Sequence, residues 1–113
     1  MEVIKKFPED MDPRAAYKLM KSPAVKKMSE AEGSVLQIES WIHYHSPDKE
    51  TGEIKEVIAL ATPDGEMFAT ISNTFREEFL EMVGYFGPDL GAIEVIQGVS
   101  KAGRKYITCS IAE

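Results

Sequence analysis

At 113 residues the chain is long enough for one compact core and too short for two ordinary domains. A composition of 43% hydrophobic and 28% charged residues belongs to a soluble globular protein, and no apolar run approaches the roughly 20 residues that span a bilayer. A net charge of −6 argues against holding duplex DNA by blanket electrostatics, because phosphate neutralisation needs clustered lysine and arginine.

The first residues, MEVIKKFPED, lack the apolar core of a signal peptide, so a cytoplasmic location is expected. Residues 1–12 mix charge with Phe7-Pro8 and read as an arm rather than core. Asp12-Pro13 is a good helix start, with aspartate as cap and proline at the first helical position. Ala15, Ala16, Leu19 and Met20 then make a narrow apolar stripe, flanked by Arg14, Lys18 and Lys21, and Pro23 stops the helix. A further helical turn or two is expected between Ala24 and Ala31, closed by Gly33. No acid lies between Arg14 and Lys27, and the simplest reading of these cations is the solvated side of a docked helix.

From Ser34 the period becomes that of a strand. Leu36, Ile38, Ile42 and Tyr44 share one face of a long strand by alternation, and Gln37, Glu39, Trp41 and His43 share the other. The polar run SPDKETGE is a hairpin loop, Ile54–Thr62 is the returning strand with Ile58 and Leu60 inward, and Pro63-Asp64-Gly65 turns into a third strand, 67–72. After Asn73, Phe75, Phe79, Met82, Val83 and Phe86 recur at helical spacing, with Thr74 and Glu77 fitting a capping box and Gly87-Pro88 ending the helix. Strands at 92–98 and 105–111 follow, joined by the turn SKAGR.

The order β-β-β-α-β-β, preceded by an N-terminal helical segment, is that of a mainly β OB-fold: a five-stranded barrel with its helix between the third and fourth strands. The expected division is an arm and helical segment over 1–33 and the barrel over 34–113, within a single structural domain.

Three segments, YKLMKSPAVKKMSEAEGSVLQIESW, DKETGEIKEVIALATPDGEMFATIS and IEVIQGVSKAGRKYITCSIAE, resemble single-stranded-DNA-binding proteins of phages and mobile elements of Gram-positive bacteria. The resemblance covers nearly everything after residue 12 and is most specific in DKETGE, TPDGEMFATIS and SKAGRKYIT. It implies an OB-fold that coats single-stranded DNA during replication in the bacterial host's cytoplasm, with replication proteins as further partners. The resemblance brings no DNA-contacting residues with it.

Candidate contacts follow from face and chemistry. Sequence-tolerant binding of single strands uses exposed aromatic rings on which bases stack. Trp41, Phe68 and Tyr106 each fall outside the apolar alternation of their strands and would form such a platform. The alternative is that a bend in the first strand reverses its phase and buries Trp41, while Phe68 packs under the N-terminal helix. Lys101, Arg104 and Lys105 cluster around Gly103 beside Tyr106, and Lys55 joins them as a fourth candidate for phosphates. His43 and His45 lack a third ligand, so no metal site is assigned; Cys109 reads as a core residue, and no catalytic set or cofactor motif is present. The competing function is an acidic protein-interaction module that mimics nucleic acid and inhibits a host factor, which the net charge favours. Oligomeric state stays open between monomer and dimer.

Overall fold

The computed structural model describes residues 2–112. Its elements in chain order are β1 (Glu2–Phe7), α1 (Pro13–Lys21), β2 (Lys26–Lys27), a 3-10 turn (Met28–Ala31), β3 (Val35–Gln37), β4 (Ser40–Pro47), β5 (Ile54–Ala61), β6 (Met67–Thr70), α2 (Asn73–Phe86), β7 (Ala92–Val99) and β8 (Lys105–Ile111). The strands form two sheets, one ordered β1-β4-β5-β6-β2 and the other β3-β7-β8.

The expected closed five-stranded barrel is therefore not what the chain builds. Its two sheets are joined on one side by the bent segment β3–β4, where the Ile38 amide donates to the Gly91 carbonyl and the next amide, of Glu39, donates to Ala61. On the other side β8 is a sheet edge that does not pair with β6. Among the described residues the gap is spanned by a side-chain bond, from Ser72 Oγ to the Ile107 carbonyl at 3.0 Å. The N-terminal expectation also needs correction. Residues 2–7 are not a loose arm: they form an edge strand antiparallel to β4. The helical segment expected after the arm is not helical throughout, since α1 is flanked by β1 and β2 and the later turn is a short 3-10 piece.

Within α1 the local chemistry is simple. Asp12 accepts from the Arg14 amide and Pro13 occupies the first turn. The helix lays Ala16 and Leu19 on Ile42, Tyr44, Val57 and Ala59, one face of the larger sheet. The opposite face of that sheet carries Trp41, Ile58, Leu60 and Phe68 into the main core, where they meet Phe75, Phe79 and Val83 of α2 and Ile93, Val95 and Cys109 of the smaller sheet. Burial of each such side chain contributes about 1.5–3 kcal/mol. The α2 cap is Ser72, whose Oγ accepts from the Phe75 amide, rather than the expected Thr74. No helix among the described residues is long and apolar enough to cross a membrane.

Candidate nucleic-acid interface

The unpaired side of the two sheets opens a cleft of about 690 Å³. One wall is the passage from β2 into the 3-10 turn, with Lys27, Met28 and Glu32; the floor is Thr70–Ser72, where β6 has run past its partner β2; the other wall is Gln97 and Lys105–Ile107 at the start of β8. Lining groups are mostly apolar, with Lys27 and Lys105 against Glu32 as the charges. Ile71, 54% exposed, stands in this cleft and also borders a hollow of about 320 Å³ lined by Lys55, Glu56, Asn73 and Arg76.

Tyr106 lies on the outer face of β8, directly opposite Gly98 of β7. It is 37% exposed and borders the cleft. The turn after β7 is closed by the Ser100 amide donating to Arg104 and the Gly103 amide donating to Ser100, with Gly103 at φ +79° where a side chain would be strained. Lys101, Arg104 and Lys105 project from this turn into solvent, and none of them forms an ion pair among the described residues. Lys55, in contrast, is tied to Asp48 at 3.0 Å. Asp48 is held below the usual carboxylate range by the Glu50 amide, then by Lys55 and the Thr51 amide.

Two of the three expected stacking aromatics are not surface groups. Trp41 is fully buried, donates Nε1–H to the Pro88 carbonyl at 2.8 Å and meets Phe79 edge-on with centroids 5.3 Å apart. Phe68 is 4% exposed and packs in the main core rather than under α1, with Lys26 Nζ 5.2 Å from its ring centroid. Both follow from one fact: α1 covers the second face of the large sheet, so that face is apolar too, and alternation there separates two cores instead of core from solvent. For β4 a second cause adds to it. Leu36, Ile38 and Trp41 all point into the main core, so the strand slips by one residue at the Glu39–Ser40 bend. Among the described residues no helix covers the outer face of the smaller sheet, and there the alternation of β8 places Tyr106 outside and Ile107 and Cys109 inside. Cys109 is a core thiol whose pKa burial pushes up to about 12.

Lys27 and Ile71 are cleft residues that the sequence reading did not single out. Lys27 belonged to the basic run assigned to a solvated helix face, and Ile71 to the expected strand 67–72, which in the structure ends at Thr70. His43 and His45 share the inward face of β4 but engage a carboxylate: His43 Nε2 lies 2.6 Å from Glu56 Oε2, Arg76 Nε lies 2.9 Å from the same oxygen, and His45 lies 3.6 Å from Oε1. Burial raises the Glu56 pKa, but the His43 hydrogen bond and the charges of Arg76, His43 and His45 together outweigh it and leave it lowered. Among the described residues no three or more histidine, cysteine or acidic side chains converge so as to hold a metal ion.

Neither the comparison with curated proteins nor that with solved structures returns a match. The comparison with protein families matches residues 17–112 to the phage single-stranded DNA-binding protein, a stretch that includes both walls of the cleft, the basic turn and all of α2. With most of its length accounted for by that match, this chain belongs to the family of phage single-stranded DNA-binding proteins.

Proposed function

We propose that the protein coats and protects single-stranded DNA during replication of a phage or mobile element in the bacterial cytoplasm, with little dependence on sequence. The strand would run from the basic turn at Lys101 and Arg104, past Lys105 and Tyr106, into the cleft and over Ile71 toward Lys55. The observation that carries this reading is a half-exposed aromatic beside unpaired cations at the mouth of a mostly apolar cleft, in a protein whose net charge is negative. Rings and apolar groups suit base faces, which every base presents, and the cations suit phosphates. Acidic surface elsewhere, including Glu77, Glu78 and Glu81 of α2, would keep the rest of the molecule off the strand. The shared strand segment β3–β4 and the helix between the third and fourth long strands also support reading the fold as an OB-type arrangement left open along β8.

The test is a fluorescence-anisotropy titration of an unstructured oligo-dT at several salt concentrations. Affinity should fall linearly on a log–log salt plot, with a slope of roughly −0.7 per phosphate neutralised. Absence of binding at low salt would reject this function and leave the acidic mimic of nucleic acid as the reading that the net charge favours.

A further inference from the structure

The two helices carry exposed stripes of opposite charge. On α1, Arg14, Tyr17, Lys18 and Lys21 are exposed at i, i+3, i+4 and i+7, which is one face of a helix two turns long. On α2, Glu77, Glu78, Glu81 and Tyr85 fall on one exposed face of about the same length, and Tyr85 is 84% exposed. Six of these eight groups are charged, and no ion pair engages any of the six among the described residues.

The stripes cannot meet within one molecule. The apolar side of α1 packs on one face of the large sheet, and that of α2 packs in the core on the other face of the same sheet. A basic stripe on one side and a matching acidic stripe on the other is a heterologous pair of surfaces, which joins copies head to tail in an open line instead of closing a dimer. The acidic stripe would repel phosphates, and its far end at Tyr85 lies about 20 Å from the cleft-side end of α2, so a strand in the cleft leaves the Glu81–Tyr85 part of this contact free. We propose that copies bound side by side on single-stranded DNA dock through these stripes, α1 of one copy against α2 of the next, so that the partner surface is a second copy of this chain. This rests on the DNA-binding reading above.

The experiment compares three variants with the unaltered protein: Glu77→Lys/Glu81→Lys, Lys18→Glu/Lys21→Glu, and all four changes combined in one chain. All four positions are exposed, and melting curves check that the fold is kept. Titrations on poly(dT) report cooperativity between neighbours, and titrations on an oligo-dT that seats one copy report intrinsic affinity. Each charge reversal alone should lower cooperativity roughly tenfold, as expected for a few exposed ion pairs acting together, and the combined chain should recover it because both stripes have exchanged sign. Oligo-dT affinity should stay within about twofold in the Lys18→Glu/Lys21→Glu variant, and in the two chains that carry Glu77→Lys/Glu81→Lys it should hold or rise, because acids that repel phosphates have been removed. Unchanged cooperativity, failure of the combined chain to recover, or loss of short-oligo affinity in the Lys18→Glu/Lys21→Glu variant would each overturn the contact. If the protein binds no DNA at all, the function fails separately, and the contact is read by sedimentation of the protein alone at low salt. There, concentration-dependent growth in the unaltered and combined chains but not in the single reversals supports it, and monomers throughout overturn it.

Discussion

Tyr106 lies against Gly98, its cross-strand partner, so closely that a Cβ on the glycine would run into the tyrosine ring. Glycine in a strand interior ordinarily weakens the strand, and covering it with a neighbouring aromatic recovers contact while holding the ring flat on the sheet. The ring is thereby fixed in place at the cleft mouth before any ligand arrives. Tyr106→Ala is expected to lower affinity for oligo-dT by ~1 to 3 kcal/mol, and Tyr106→Phe to keep most of it. Gly98→Val should displace the ring and cost a similar amount, and the double variant should be no worse than either, because both remove one contact. Anisotropy titrations check this, and unaltered affinity in Tyr106→Ala would take the ring out of the interface.

Trp41 behaves as core. Its replacement by alanine removes the contacts with Phe79 and the bond to Pro88, at an expected cost of ~3 to 5 kcal/mol in urea unfolding. The remaining folded fraction should bind oligo-dT with unchanged affinity. Direct quenching of Trp41 emission by a stacked base is not expected, and strong quenching on titration would contradict its burial.

The basic turn should act through charge. Replacing Arg104 and Lys105 together by alanine is expected to flatten the log–log salt dependence by roughly 1.4, at about 0.7 per lost phosphate contact on a single strand. Both side chains are exposed and form no ion pair among the described residues, so thermal stability should change little. A weaker affinity with an unchanged slope would mean that the turn contributes by shape and not by charge.

Glu56 links β5 to α2 through Arg76 and to β4 through His43. Its pKa is lowered from the ordinary 4.5, so its stabilising contribution is present above that value and is lost as pH falls through the lower folded value. Glu56→Gln should destabilise the protein at pH 7 by ~1 to 2 kcal/mol, the carboxylate being about one-third exposed and partly screened. The variant should also lose less stability than the unaltered protein between about pH 5 and pH 3. Part of the acid sensitivity should persist, because Asp48 and Asp64 are held low as well. Chemical denaturation at a series of pH values checks both parts.

Much of the architecture was legible in the residues because it depends on local chemistry. Asp12-Pro13 starts a helix, TPDG reverses a chain, and the spacing of Phe75, Phe79, Met82, Val83 and Phe86 demands a helix with one buried face, from which Phe86 departs at 55% exposed in the last turn. The faces of β8 were equally legible: with solvent on its outer side, alternation separates Ile107 and Cys109 from Tyr106 directly. The larger sheet was not, since α1 buries its second face and both sets of alternating side chains are core, so that Trp41 and Phe68 read as outward when they are the inward set. Whether eight strands close into a barrel or part into two sheets also lay outside the sequence. That depends on the bend at Glu39–Ser40 and on β8 stopping short of β6, which are long-range register relations, and they create the cleft between Lys27, Ile71 and Tyr106.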